Sequence, residues 1–180
     1  MKLVLIGIQG AGKSTQGNLL SKKLGVTYLS SGHIFREMAK EKTPIGRYLK
    51  ETMSAGALIS DEKTLEIVQE YLSRSDYKKG YILDGFPRTI PQAEKFKNGL
   101  ERVIYLKVSD KEALWRISGR VSDREDETLQ AIRKRIELFH EFTVPVMEYY
   151  RKKGILEEID GERDIQEIFN DILARLSKKK

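Results

Sequence analysis

The chain has no cysteine, and its 180 residues include only two histidines, four prolines and one tryptophan. Without thiols there is no disulfide framework and no thiolate metal site. A zinc centre would have to draw His33 and His140 together with carboxylates from unrelated segments, and none is expected. No stretch approaches the roughly 20 consecutive apolar residues of a membrane span. The opening Met1-Lys2-Leu3-Val4-Leu5-Ile6 runs straight into Gly7, unlike a secretory leader with its small-residue cleavage site, so the expected setting is cytoplasmic. Internal repeats and low-complexity linkers are missing too. One domain is expected, and a chain of this length buries most of its apolar surface without staples. Charge of one sign is also scarce: 33 basic against 27 acidic residues leave a net +6, a mixed-sign surface and not a disordered polyelectrolyte. That excess suits an anionic partner such as a nucleotide, a nucleic acid or an acidic membrane. Part of it is only the Lys178-Lys179-Lys180 tail.

Five short apolar runs read as buried strands: residues 3–6, 26–29, 81–83, 103–108 and 155–159. The first and fourth are almost continuously apolar, as in a parallel sheet covered on both faces. Helix starts lie between them. Thr43-Pro44 sets a capping hydroxyl before a proline at the first helical position. Ser109-Asp110-Lys111-Glu112 has the spacing of a capping box. A long helix is predicted from near Glu127 toward Tyr150, kinked at Pro145. Strands alternating with helices imply an α/β doubly wound fold. Residues 30–59 and 119–126 fit the alternation less well and are candidate moving parts.

Directly after the first strand stands Gly7-Ile8-Gln9-Gly10-Ala11-Gly12-Lys13-Ser14-Thr15, a G-x-x-x-x-G-K-[ST] loop between strand and helix. Its glycines let backbone N–H groups turn toward phosphate oxygens. The next helix adds its positive end, and Lys13 can reach the β- and γ-phosphates. Ser14 places a hydroxyl where Mg²⁺ would sit. Another strand ends in Asp84, followed by Gly85-Phe86-Pro87-Arg88. An aspartate at that place can hold Mg²⁺ through its water shell, and Arg88 offers a two-pronged donor to phosphate. A GTP-hydrolysing switch fits poorly, because neither an N-K-x-D guanine reader nor a D-x-x-G switch stands in a suitable place.

These residues, with Ser30-Ser31-Gly32-His33-Ile34-Phe35-Arg36, Gly119-Arg120 and Arg133-Lys134-Arg135, resemble the adenylate kinase family of nucleoside monophosphate kinases. The resemblance spans nearly the whole chain. It implies a five-stranded parallel core (1–29, 60–119 and 128–180), a monophosphate-binding arm at 30–59 and a short lid at 120–127. Three positions depart from the family's habit: Ser14 replaces glycine, Gln9 replaces proline and His33 replaces aspartate. His33 is expected to be an exposed helix-start residue.

Phosphoryl transfer between nucleotides asks mainly for positive charge, preorganised and shielded from water. Ile132, Ile136 and Phe139 form an apolar stripe, and Arg135 lies on or beside it. The bland alternative is an arginine snorkelling beside a structural carboxylate. Arg116 and Arg120 share a helix face. By resemblance, Arg116 lies against the adenine of ATP, Arg120 contacts its phosphates, and Gly10, Ala11, Gly12, Lys13, Ser14 and Thr15 cradle them. The stretch around Gly161 and Arg163 touches the ATP base. Arg124 and Arg135 contact the transferring group, with Asp126 or Glu127 able to hold Arg124 when the lid is open. Arg36 and Arg88 hold the acceptor phosphate, beside Ser31, Ala57, Leu58, Ile59, Gly85, Phe86 and Pro87. Gln92, four residues after Arg88, faces the acceptor base. The catalytic set is then Lys13, Arg88, Arg120, Arg124 and Arg135, with Mg²⁺ at Asp84 and Ser14. The activity implied is reversible transfer from MgATP to AMP giving two ADP. A UMP/CMP kinase of the same fold and a non-catalytic nucleotide sensor are the alternatives. The implied partners are the nucleotides alone, with neither membrane nor nucleic acid, on a monomeric protein.

Overall fold

In the computed structural model, which describes residues 1–119 and 127–177, the five apolar runs form β1 (Lys2–Ile6), β2 (Thr27–Ser30), β3 (Tyr81–Asp84), β4 (Arg102–Lys107) and β5 (Leu156–Asp160). They pair in the order β2-β3-β1-β4-β5, and every neighbouring pair is parallel. Leu3, Val4 and Leu5 have no exposed surface, which is why β1 reads as an unbroken apolar run. Alternate residues feed two cores. Val4, Ile6, Leu29, Leu83 and Val103 face one, and Leu3, Leu5, Ile82, Ile104 and Ile159 face the other. Each such side chain contributes about 1.5–3 kcal/mol by leaving water.

The helices are α1 (Lys13–Leu24), α2 (Ser31–Ala39), α3 (Pro44–Ser54), α4 (Asp61–Leu72), α5 (Ile90–Lys95), α6 (Asp110–Ser118), α7 (Leu129–Leu138), α8 (Val144–Lys152) and α9 (Ile165–Ser177). Leu20 of α1 and Ile168 and Ile172 of α9 cover one face; Val68 of α4 and Val146 and Tyr150 of α8 cover the other. Ser30, Thr43, Ser60, Thr89, Ser109 and Thr128 each accept a hydrogen bond from the N–H three residues on. Such caps commonly stabilise a helix by about 1 kcal/mol. Helix α1 instead starts on Gly12, with no side-chain cap.

Two local expectations need correction. The Ser109 box is only half formed. Glu112 N–H donates to Ser109 Oγ, but Ser109 N–H goes to Glu162 Oε1 at 2.7 Å while Glu112 holds Arg116 at 2.6 Å. A cation one turn away outcompetes the capping N–H. The long helix is also divided. Between α7 and α8 lies a π-helical turn, Phe139–Thr143, in which Val144 N–H reaches Phe139 O. Pro145 has no N–H to continue an α-helical ladder, and the wider turn takes up the mismatch before it.

Candidate active site

Register places the site. Leu5 pairs with Asp84 across β1 and β3, so the loop after β1 and the turn after β3 emerge side by side at the carboxyl edge of the sheet. Ligands of open α/β sheets bind outside that edge. Gly10 and Gly12 take φ of 91° and 83°, a region that only glycine enters at little cost. A Cβ on Gly10 would also stand 2.7 Å from Ala113 O. Lys13 Nζ lies over the loop, donating to Gly7 O (2.8 Å) and Ile8 O (3.0 Å). Gly10, Gly12, Lys13 and Ser14 line the cleft. Ala11 is buried beneath the loop and Thr15 is exposed.

Asp84 is 7% exposed. Its Oδ2 accepts from the Tyr28 hydroxyl at 2.8 Å, and its Oδ1 is buried with no hydrogen-bond partner among the described residues. Tyr28 pairs with Ile82, two residues before Asp84 and on the same face of the sheet. Gly17 of α1 makes room for the ring, since a Cβ there would stand 2.3 Å from Tyr28 Cε2. Burial and the adjacent Asp84 carboxylate raise the Tyr28 pKa, so the phenol stays a donor at neutral pH. Tyr28 was not singled out from sequence. Its only signal is a phenol in a strand otherwise destined for burial. The buried, unpartnered oxygen of Asp84 and the Ser14 hydroxyl suit a hard, oxygen-seeking cation. Among the described residues no group of three or more His, Cys, Asp or Glu side chains could hold a metal ion.

On the other side of the cleft, Arg88 Nε donates to Gly85 O at 2.8 Å, and Thr143 Oγ1, from the π turn, donates to Arg88 O at 3.0 Å. Arg135 reaches Met53 O at 2.8 Å and Gln9 Oε1 at 3.3 Å. Gln9 also donates to Glu127 Oε1 at 3.0 Å, so this side chain ties the phosphate loop to α7 and to the residue preceding its cap. Arg36, Arg88 and Arg135 line one cavity. Burial lowers the Arg88 pKa, and Arg135 and Arg36 add to the effect, with Asp84 opposing it. Three guanidinium groups lining one cavity suit an anionic ligand.

The sequence profile of the family described as "Adenylate kinase" matches residues 5–155. An adenylate kinase of Syntrophotalea carbinolica is 37% identical over 212 aligned residues, covering 98% of this chain and 98% of its own. Adenylate kinases of Caldicellulosiruptor bescii (35% identical; 98% and 99% covered) and Caldanaerobacter subterraneus (36%; 98% and 96%) are similar to the same extent. The chain belongs to the adenylate kinase family.

Of the residues the family resemblance singled out, Ala57, Leu58, Ile59, Asp84, Gly85, Phe86, Pro87 and Gln92 line the cleft together with the loop and the three arginines. Ser31 does not. It is fully buried and donates to Asp84 O at 3.1 Å, tying α2 to the end of β3 beneath the site. Gln92 is no surface residue either: at 2% exposure its Oε1 accepts from Arg88 N–H and its Nε2 donates to Asp61 Oδ1, both at 2.8 Å. Asp61 and Thr143 join Tyr28 and Gln9 as neighbours that sequence reasoning missed. Arg116 pairs with Glu112, and Arg163 pairs with Asp171 at 2.7 Å; neither is among the residues lining the cleft. His33 is exposed at the start of α2, as expected. Arg120, Arg124 and Asp126 lie outside the described residues.

Proposed function

We propose that this member of the adenylate kinase family reversibly transfers the γ-phosphoryl of MgATP to AMP, giving two ADP. The observation that carries the reading is one cleft lined on one side by the glycine loop and Lys13 and on the other by Arg36, Arg88 and Arg135. Such a cleft can seat a triphosphate opposite a monophosphate. An oxygen of the AMP phosphate attacks the γ-phosphorus of ATP, the bond to the β–γ bridging oxygen breaks, and ADP leaves. The attacking oxygen is already ionised at neutral pH, so no general base is required.

In this reading Lys13 swings from the carbonyls of Gly7 and Ile8 to the β- and γ-phosphates, while Gly10, Ala11, Gly12, Ser14 and Thr15 supply loop and helix-start donors. Arg36 and Arg88 hold the acceptor phosphate; Arg135, joined by Arg120 and Arg124 from the lid, neutralises the transferring group. Arg116 and the stretch around Arg163 meet the adenine of ATP. Asp84, through its water shell, and Ser14 would hold Mg²⁺, which would neutralise phosphate charge. Residues 30–59 act as the arm and 120–127 as a short lid, whose closure excludes water that would otherwise be phosphorylated. Alignments of 212 residues against a chain of 180 mean that the relatives carry residues without counterpart here, which supports a shortened lid. The reading includes a cytoplasmic monomer whose partners are ATP, AMP and ADP. No helix of the described residues is long and apolar enough to cross a membrane.

The test is a phosphotransfer assay with ATP against AMP, CMP, UMP, GMP and dTMP. AMP should be the best acceptor. CMP or UMP used as efficiently as AMP would put a pyrimidine kinase in its place, and no transfer at all would leave a nucleotide sensor.

A further inference from the structure

Asp61, at the first position of α4, accepts two hydrogen bonds on one oxygen: Thr89 Oγ1 and Gln92 Nε2 each stand 2.8 Å from Oδ1. At the other end of the same amide, Gln92 Oε1 accepts from Arg88 N–H at 2.8 Å. The two ends of a glutamine amide have nearly the same shape, and only their partners choose between the orientations. Here the partners choose twice. A carboxylate can only accept, so it demands the amino end. A backbone N–H can only donate, so it demands the oxygen. The reversed amide would set oxygen against carboxylate and N–H against N–H in a place 2% exposed, where water cannot repair the loss.

We infer that Asp61 is a positioning residue that sets base selectivity: by locking the Gln92 amide, it makes the acceptor site read a 6-aminopurine and reject a 6-oxopurine. This rests on the reading that Gln92, which lines the cleft beside Arg36 and Arg88, faces the acceptor base. A primary amide carries two N–H donors and two acceptor lone pairs, and the lock takes one of each. What remains is one acceptor on Oε1 and one donor on Nε2, held side by side. Adenine presents the complement, an N6–H donor beside the N1 acceptor. Hypoxanthine presents the reverse, an O6 acceptor beside an N1–H donor. A free amide would rotate to accept either base. A locked one cannot.

The experiment measures kcat/KM for AMP and for IMP with wild-type protein, Asp61→Ala and Asp61→Asn. The alanine variant leaves Arg88 N–H as the remaining anchor of the amide, so reversing it costs one buried hydrogen bond instead of two, and the AMP-to-IMP ratio should fall by about 5- to 150-fold. The asparagine variant retains an acceptor oxygen for Thr89 and Gln92 and should keep the wild-type ratio. Partial unfolding lowers both rates in one preparation and leaves their ratio alone. An unchanged ratio in Asp61→Ala therefore overturns the lock and assigns Asp61 a purely structural role. Wild-type protein that uses IMP as well as AMP would instead overturn the underlying reading of Gln92. One arm needs no variant. Cytosine shares adenine's amino-beside-acceptor edge and uracil has the reverse, so wild-type protein should favour CMP over UMP, with both behind AMP; UMP equal to or ahead of CMP overturns the lock.

Discussion

The hydroxyl of Tyr28 and the carboxylate of Asp84 are joined by a 2.8 Å hydrogen bond that occupies one oxygen of the aspartate and leaves the other buried without a partner among the described residues. Gly17 is what lets the ring approach, because any larger residue on α1 would meet it. A strand residue, a helix glycine and a carboxylate at the end of the neighbouring strand thus act as one unit. That unit presents a single oriented oxygen on the face that α1 covers.

Tyr28→Phe should raise the Mg²⁺ concentration needed for half-maximal phosphotransfer several-fold while sparing nucleotide binding measured without metal. The freed Oδ2 should also cost about 1–3 kcal/mol of stability. Calorimetric titration with ATP, with and without Mg²⁺, separates the two effects. An unchanged metal dependence would make the contact purely structural.

Lys13→Met should leave the fold intact and reduce turnover by about 10²–10³-fold, the usual loss when one well-placed charge is withdrawn from a transferring group. Circular dichroism checks the fold and a coupled ADP assay the rate. A folded variant with near-normal activity would remove Lys13 from the mechanism.

Arg135→Ala should lower kcat by about 10²-fold and raise either Michaelis constant far less, because its charge is best used when both nucleotides are enclosed. It also gives up the bond to Met53 O at the end of α3. Steady-state kinetics with each substrate varied in turn would expose the alternative. A change confined to KM would reassign Arg135 to ground-state binding.

Stability should fall as pH rises above about 10. Burial raises the pKa values of Tyr28, Tyr81 and Tyr150 above the ordinary phenol value of 10.0. Above pH 10 the unfolded chain therefore loses phenolic protons that the folded chain keeps, which favours unfolding. The hydroxyls of Tyr81 and Tyr150 are buried without hydrogen-bond partners among the described residues. Tyr81→Phe and Tyr150→Phe should consequently be neutral or slightly stabilising at pH 7 and should flatten the alkaline loss. Urea midpoints between pH 7 and pH 11 are the measurement.

Sequence and structure agree best where one residue type answers one physical demand. The five apolar runs became strands displaced by no more than a residue or so at either end, because continuous burial needs continuous apolarity. The loop from Gly7 to Thr15 was legible because its two left-handed glycines and its lysine have no substitutes. Agreement fails where a side chain has two suitors. Glu112 had the spacing to cap α6 but lies one turn from Arg116, and the ion pair prevailed. Gln92 and Ser31, polar residues at helix starts, carried no sign of being among the most buried polar groups in the protein.

The sequence by itself determined the doubly wound α/β class, the phosphate loop and the family, since each depends on local spacing or on residues that read the same in any context. Only the tertiary structure decided which polar groups face one another across the carboxyl edge: Tyr28 with Asp84, Asp61 with Gln92, Gln9 with Arg135. These partners are 56, 31 and 126 residues apart in the chain. A hydrogen bond requires its atoms within about 3 Å. No local pattern encodes so short a distance over so long a stretch of chain; it is set by the register of parallel strands and by how closely two helices are allowed to approach.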